Sequence, residues 1–127
     1  SSILQNKFKK NYNLHNKPSF RTQKIELTIK RLIAEYIVTH KEFLIEFPTL
    51  RMEITDVRVS KDLRFAKVLL VHNIKDIEFE KFKKKYTRKM QELIAKTMTS
   101  KYIPKISLYV DEPYKESIKV QQLIDQL

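Results

Sequence analysis

The chain of 127 residues contains no cysteine, no glycine and no tryptophan. Without cysteine it can form neither a disulfide framework nor a thiolate metal site, which excludes disulfide-stapled mini-proteins and zinc ribbons. Without glycine it cannot form the glycine-rich loops that cradle phosphate, and no serine stands in a nucleophile elbow. Thiol redox chemistry and the commonest nucleotide-binding loops are therefore excluded.

Long apolar runs are also missing. No run approaches the roughly 20 apolar residues needed to span a bilayer, and the first residues lack the apolar core of a secretory signal. We therefore expect a soluble intracellular protein that does not bind a membrane, either in a bacterial cytoplasm or in a mitochondrial or plastid matrix. A length of 127 residues suits one domain with a single hydrophobic core.

Positive charge dominates what the sequence does contain. Its 26 lysine and arginine side chains exceed the 15 acidic ones by 11, a surplus that favours polyanionic partners. Residues 1–41 carry nine basic and two acidic side chains, and residues 81–105 carry nine and one. Charge alone leaves open whether these lysines bind a partner or only solvate helix faces.

Apolar spacing predicts two helices. From Arg21 to His40 apolar residues recur every three or four positions, which indicates a helix that ends before Phe47-Pro48. The same spacing from Asp76 to Met98 predicts a longer helix that ends before Pro104, with carboxylates in its first turns that complement the helix dipole. Residues 1–18 combine four lysines with four asparagines and are predicted to form a basic flexible tail.

Two runs rich in β-branched and apolar residues, Arg51 to Val59 and Arg64 to His72, predict a hairpin. The apolar phase shifts within the first run, which leaves open a bulge near Thr55 and Asp56 or a strand partly buried on both faces. Residues 68–71 are all apolar, as is typical of a strand placed mid-sheet or covered on both faces. In the turn, Asp62 is the residue expected to tolerate the left-handed conformation.

A third strand is predicted from Ile106 to Val110, where apolar and polar residues alternate, and Pro113 ends it. Residues 113–127 are predicted to form a C-terminal extension with a short helix. Residues 19–112 then form the domain, in the order helix, strand, strand, long helix, strand. A sheet layered against two helices is the natural arrangement for this order.

The stretch VRVSKDLRFAKV, residues 57–68, resembles the hairpin signature of the ribosome-binding factor A family, which are small-subunit assembly factors. Further similarities follow in the family's order: Ile94-Ala95-Lys96 in the long helix, Ile103-Pro104, a last strand that closes at Asp111, and a C-terminal stretch from Lys119 to Ile124. The resemblance covers residues 19–125.

This resemblance implies an α+β, type II KH-like domain of order α-β-β-α(kinked)-β, with a three-stranded mixed sheet packed on helices. The kink is expected between Ala95 and Ser100, because Thr97, Thr99 and Ser100 are poor helix-interior residues, although simple fraying of the helix would leave the same signal. Ordinary KH domains clamp the RNA backbone with a Gly-x-x-Gly loop, which a glycine-free chain cannot form. Recognition therefore falls to lysine and arginine side chains.

The resemblance further implies a non-catalytic assembly factor that binds the small ribosomal subunit precursor and its rRNA during late maturation. We expect a monomer without enzyme activity, cofactor, metal or small-molecule substrate. A permanent structural protein of the small subunit is the alternative. A metal-dependent nuclease, suggested only by scattered aspartates, is a weaker hypothesis because strand ends and turns use aspartate routinely and no histidine pair has ligand spacing.

Basic side chains outside the apolar stripes are predicted to contact RNA phosphate. They are Lys84, Lys85, Arg88, Lys89, Lys96, Lys101 and Lys105 in the second block; Arg21, Lys24, Lys30 and Arg31 on the first helix; and Arg58, Lys61, Arg64 and Lys67 on the hairpin. Tyr102, Tyr109 and Tyr114 are the better candidates to stack on bases. The helical spacing of Phe79, Phe82 and Tyr86 instead predicts burial in the core.

Overall fold

The computed structural model describes residues 19–125, so the predicted tail of residues 1–18 lies outside the described residues. The elements are α1 (Phe20–Thr39), α2 (Phe43–Glu46), β1 (Met52–Val59), β2 (Phe65–His72), α3 (Asp76–Thr97), β3 (Lys105–Val110) and α4 (Glu112–Asp125). The predicted order of helices and strands is confirmed, and the short helix α2 is an addition that apolar spacing did not indicate. The boundaries of the domain and of the C-terminal extension stay predictions.

The sheet has the order β1-β2-β3, with β1 antiparallel to β2 and β2 parallel to β3. A parallel neighbour requires a long crossover, which α3 provides. The central place of β2 explains its apolar run: Val68 and Leu70 are fully buried on one face, and Leu69 and Val71 are half-buried on the other.

A bulge in β1 resolves the shift in its apolar phase. The pairing with β2 skips a residue between Ile54 and Asp56, which leaves Thr55 as the extra residue. Ile54 and Val57 are therefore both buried although they are three positions apart. The bulge also carries contacts, since the Thr55 hydroxyl donates to Asp111 Oδ2 at 2.6 Å.

The core lies between the sheet and helices α1 and α3. Phe79, Phe82 and Tyr86 are buried, as their spacing predicts. Helix α2 is held there by Phe43, whose ring meets those of Phe82 and Tyr86 edge-on, with centroids 5.7 and 5.9 Å away. Burial of one such ring contributes about 1.5–3 kcal/mol, which explains how a helix of one turn is held in place.

The hairpin turn departs from the prediction for Asp62. Leu63, not Asp62, has the positive φ of 61°. This conformation costs a non-glycine residue roughly 1–2 kcal/mol, and burial of the Leu63 side chain offsets it. Asp62 instead accepts hydrogen bonds from Ser60 Oγ at 2.6 Å and from the Arg64 amide at 3.1 Å. These bonds hold the pKa of the Asp62 carboxyl below its usual range.

Helix α3 ends at Thr97, inside the window predicted for a kink. Met98 takes an extended conformation, with φ −75° and ψ 139°, and residues 98–104 are not helical. The bend is therefore the end of the helix and not a joint to a second helical limb. The end at Thr97 matches the poor helix-interior residues Thr97, Thr99 and Ser100, and Pro104 disfavours the helical conformation at Ile103, so no helix leads into β3.

Candidate nucleic-acid interface

One end of the molecule gathers segments that are far apart in the chain. The Val59 amide donates to Glu26 Oε2 of α1 at 2.8 Å, and the Lys105 amide donates to the Arg64 carbonyl at 2.8 Å. These bonds place the turn 60–64, the first half of α1 and the start of β3 together. We call this the hairpin end. The last turn of α3 and residues 98–100 join it, because they face the first half of α1.

A groove of about 380 Å³, the α1 groove, separates the first half of α1 from the end of α3. Its lining combines cations, hydroxyls and two apolar side chains: Arg21, Lys24, Arg31, Ile25, Thr28, Met98, Thr97, Thr99 and Ser100. The Thr28 hydroxyl donates to the Lys24 carbonyl at 2.8 Å, so the three cations and the hydroxyls of Thr97, Thr99 and Ser100 form the set of phosphate donors in this groove. The poor helix formers at the end of α3 thus form one wall of a cationic groove.

The start of α1 adds to the positive potential of this groove. Ser19 caps the helix, accepting a hydrogen bond from the Thr22 amide at 3.1 Å, and the first turn contains no acidic residue. The positive end of the helix dipole is therefore not neutralised locally. Arg21 and Lys24 lie beside this end and outside the buried stripe of α1.

A second groove, the α3–β3 groove of about 620 Å³, runs between the helix and the edge strand. Lys84, Arg88 and Lys105 line it together with Thr87, Gln91, Glu92, Ala95 and Ile106. The Gln91 amide fixes its geometry, since Nε2 donates to the Pro104 carbonyl at 2.9 Å and Oε1 accepts from the Ile106 amide at 2.7 Å. One side chain thereby ties α3 to the first residues of β3.

Two of the predicted contact residues are engaged by α2. Lys85 donates to Glu46, and Lys89 Nζ lies 3.2 Å from Glu42 Oε1. These hydrogen bonds lower the pKa of both carboxyls and raise the pKa of Lys85. The hydroxyl of Tyr36 also donates to Glu42, at 3.3 Å, and burial, followed by the Glu42 charge, raises the pKa of Tyr36 to about 12.

Most other predicted contact residues also have partners within the molecule. Arg31 pairs with Glu35, Arg58 with Asp56, Arg64 with Asp62 and Arg88 with Glu92, at 3.1–3.7 Å, and Lys30 Nζ donates to the Thr55 carbonyl at 3.5 Å. Lys67 lies 4.7 Å from the Tyr109 ring centroid and Lys101 lies 5.4 Å from that of Tyr102. Exposed ion pairs of this kind are weak, so an RNA phosphate can compete for these cations.

Five predicted contact residues have exposed side chains without an ion pair or hydrogen bond anywhere in residues 19–125: Arg21, Lys24, Lys84, Lys96 and Lys105. Arg21, Lys24, Lys96 and Lys105 lie at the hairpin end, and Lys84 lines the α3–β3 groove. The elements of the opposite end, namely α2, the start of α3 and α4, carry the carboxylates of Glu42, Glu46, Asp76, Glu78, Glu80, Glu112 and Glu116, but lysines such as Lys75, Lys81 and Lys115 largely balance them. The positive surplus of the described residues is therefore concentrated at the hairpin end.

The glutamates of α2 were not among the predicted functional residues. A signal for them exists in the sequence, because Glu42 and Glu46 are four residues apart, as are Lys85 and Lys89. Two glutamates and two lysines with this spacing can form two ion pairs when their helices pack side by side.

Among the described residues there is no cluster of three or more histidine and carboxylate side chains that could hold a metal ion. None of the helices in residues 19–125 is long and apolar enough to cross a membrane.

Comparison with known proteins identifies the family. The family model described as ribosome-binding factor A matches residues 21–124. This chain belongs to the ribosome-binding factor A family. Ribosome-binding factor A of Thermosipho africanus (strain TCF52B) is 31% identical over 115 residues, covering 87% of this chain and 90% of that protein. Ribosome-binding factor A of Blochmanniella floridana is 31% identical over 121 residues, covering 90% and 99%.

Solved structures of the family share the fold. The crystal structure of ribosome-binding factor A from Thermus thermophilus superposes with a TM-score of 0.57 at 17% identity, covering 70% of this chain and 94% of that one. The solution structure of a ribosome binding factor A candidate from Thermotoga maritima gives 0.56 at 21% identity, covering 73% and 89%. The predicted family and the α+β, KH-like fold are confirmed, and the family match contains both grooves.

Proposed function

We propose that this member of the ribosome-binding factor A family is a non-catalytic assembly factor. It binds the precursor of the small ribosomal subunit and its rRNA during late maturation, through basic surface contacts to phosphate. The observation that carries this proposal is the convergence of the unpaired cations Arg21, Lys24, Lys96 and Lys105 at the hairpin end, where the positive surplus of the described residues is concentrated. The names of the relatives support the ribosome as the partner.

The α1 groove is the proposed centre of the interface. Arg21 and Lys24 lie at the start of a helix whose exposed amides and dipole favour anions, and Lys96 extends the positive surface along α3. The hydroxyls of Thr97 and Ser100 can donate to phosphate oxygens in place of the backbone amides of a glycine loop. Because these groups are carried by packed elements, the surface recognises the shape of folded RNA.

The charge polarity favours one orientation on the ribosome. Phosphate attracts the hairpin end more strongly than the opposite end, where lysines and carboxylates balance, so the hairpin end faces the RNA. The grooves offer phosphate donors, as a surface that binds RNA requires. Both named relatives come from bacteria, which favours the bacterial cytoplasm as the place of action.

Charge reversal tests the interface. In one variant Arg21, Lys24 and Lys96 become glutamate, and in a matched control Lys41, Lys75 and Lys81 become glutamate. All six side chains are exposed and without an ion pair among the described residues, and each variant lowers the formal net charge from +11 to +5. Helix-dipole effects in the first variant oppose each other, because glutamate is favourable at the start of α1 and unfavourable at the end of α3.

Co-sedimentation with small subunits at several salt concentrations is the measurement. The first variant is expected to bind about 100-fold more weakly, and the slope of log affinity against log salt concentration should be smaller by about three. The control is expected to keep wild-type affinity within about threefold. Equal losses in both variants would show attraction by net charge without a specific surface. In cell extracts the protein should follow precursor particles; one copy on every mature subunit would refute an assembly role.

A further inference from the structure

The face of the sheet that points away from α1 and α3 carries two exposed aromatic side chains. Phe65 on β2 is 58% exposed and Tyr109 on β3 is 48% exposed. Strand alternation places them there, because their neighbours Ala66, Leu108 and Val68 are buried on the opposite face. We call the exposed face the outer sheet face. Its aromatic rings contribute little to the core.

Strand register defines the spacing of these rings. Phe65 is opposite Lys105, Lys67 is opposite Ser107, and Leu69 is opposite Tyr109. The two aromatic residues are thus one strand and four positions apart, about 14 Å from Cα to Cα at the usual strand dimensions. Lys67 lies midway between them. A single base cannot reach both rings, but two bases of one extended strand can.

Charge on this part of the outer sheet face is positive. Arg58, Lys67 and Lys105 surround the rings, and the nearby carboxylate, Asp56, is already paired with Arg58 at 3.1 Å. Cations interleaved with exposed aromatic rings fit a polyanion that has flat apolar faces. Single-stranded nucleic acid is that ligand, because its bases stack on rings and its phosphates attract cations.

Helix α4 does not cover the two rings. The Asp111 amide donates to the Leu70 carbonyl at 2.7 Å, and its carboxylate accepts from Thr55, so α4 starts at the end of the sheet opposite the hairpin turn, close to Tyr109, whose ring nevertheless stays exposed. Phe65 and Lys105 lie at the hairpin end itself. The outer sheet face is therefore continuous with the positively charged surface proposed to bind rRNA.

We propose that the outer sheet face binds single-stranded RNA, with one unpaired base stacked on Phe65 and another on Tyr109. Arg58, Lys67 and Lys105 contact the phosphates of the same segment. The proposal rests on RNA as the partner and adds a second mode of recognition, since the grooves contact the backbone whereas the rings select unpaired bases. Such selection lets the protein distinguish immature RNA, in which a segment is still unpaired, from the folded form.

Lys67 occupies a position that this mode of binding uses. Its ammonium lies over the Tyr109 ring in the free protein, 4.7 Å from the centroid. An exposed contact of this kind is weak compared with base stacking. An incoming base therefore displaces the ammonium, which then lies beside the phosphate of that nucleotide.

The test compares single-stranded and duplex RNA. The probe is a fluorescein-labelled oligoribonucleotide of about eight nucleotides and mixed sequence, used alone or annealed to its complement. In the main variant Phe65→Leu and Tyr109→Leu remove both rings but keep apolar side chains on the strands. The control Tyr109→Phe keeps the ring. Anisotropy gives the affinities. Because the chain has six tyrosines, stacking on Tyr109 is reported by the part of the tyrosine quenching that Tyr109→Phe removes.

The main variant is expected to lose about tenfold in single-strand affinity per ring, with duplex binding unchanged, while the control binds both probes like wild type. Wild-type affinity of the main variant for the single strand would overturn the proposal, as would an equal loss for both probes. The outcome is separable from the proposed function, because subunit binding is tested through Arg21, Lys24 and Lys96, which this experiment leaves intact.

Discussion

Replacing Gln91 with methionine tests whether one side chain holds β3 against α3. Gln91 satisfies the Pro104 carbonyl at 2.9 Å and the Ile106 amide at 2.7 Å, and both residues are almost fully buried. Methionine has similar length and helix propensity, so the change removes two hydrogen bonds and little else. Each buried group left without a partner costs about 1–3 kcal/mol.

The expected loss follows from access to water. Gln91 borders the α3–β3 groove, so water can replace one of the two lost partners, and the other group stays without one. We therefore expect the free energy of unfolding to fall by about 2 kcal/mol in urea titrations. Exchange of the Ile106 amide should become at least about tenfold faster in hydrogen-exchange NMR.

The control replaces Gln122 with methionine; Gln122 is an exposed residue of α4 whose side chain has no hydrogen bond among the described residues. Its effect should stay within about 0.5 kcal/mol. If Gln91→Met also costs less than about 0.5 kcal/mol, or if the Ile106 amide exchanges at the wild-type rate, the bridge does not stabilise the edge strand.

Two further predictions concern the opposite end. His72 has a buried Nε2 without a partner among the described residues, and burial, followed by the Lys115 charge, lowers its pKa in the fold. The free energy of unfolding should therefore fall as the pH drops from about 7 to about 5. In urea titrations His72→Phe should reduce this dependence on pH, and an unchanged dependence would contradict the role of His72. Asp111→Ala removes the acceptor of the Thr55 hydroxyl and of the Tyr114 amide. Hydrogen exchange should therefore accelerate throughout α4, and the free energy of unfolding should fall by about 1 kcal/mol. Unchanged protection would show that other contacts hold the helix.

Local patterns were enough to predict the elements and the core. The three- and four-residue spacing that includes Phe82 and Tyr86 defines the buried face of α3, because helical geometry places such residues on one side. The alternation of apolar and polar residues likewise defines the buried face of β3. The bulge at Thr55 could not be chosen from the sequence, because a shifted apolar phase fits two arrangements until the pairing with β2 is known.

Side-chain partners were less predictable than elements. Lys85 and Lys89 stay predicted RNA contacts, but the sequence did not indicate that they pair with Glu46 and Glu42, which lie 39 and 47 residues away in the chain. The left-handed turn residue was assigned to Asp62 by propensity, whereas packing places Leu63 there because its side chain is buried. Both outcomes depend on contacts between segments that no local pattern contains.

Composition and apolar periodicity are local properties, and they were enough to predict a small, cationic α+β domain without a glycine clamp. Which cations act together depends on how the helices and strands pack. Folding brings Arg21 beside Thr97, and Lys105 beside Arg64, while it pairs Lys85 and Lys89 with the glutamates next to them. Electrostatic fields depend on distance in space, so charges far apart in the chain form one surface only after the helices pack on the sheet.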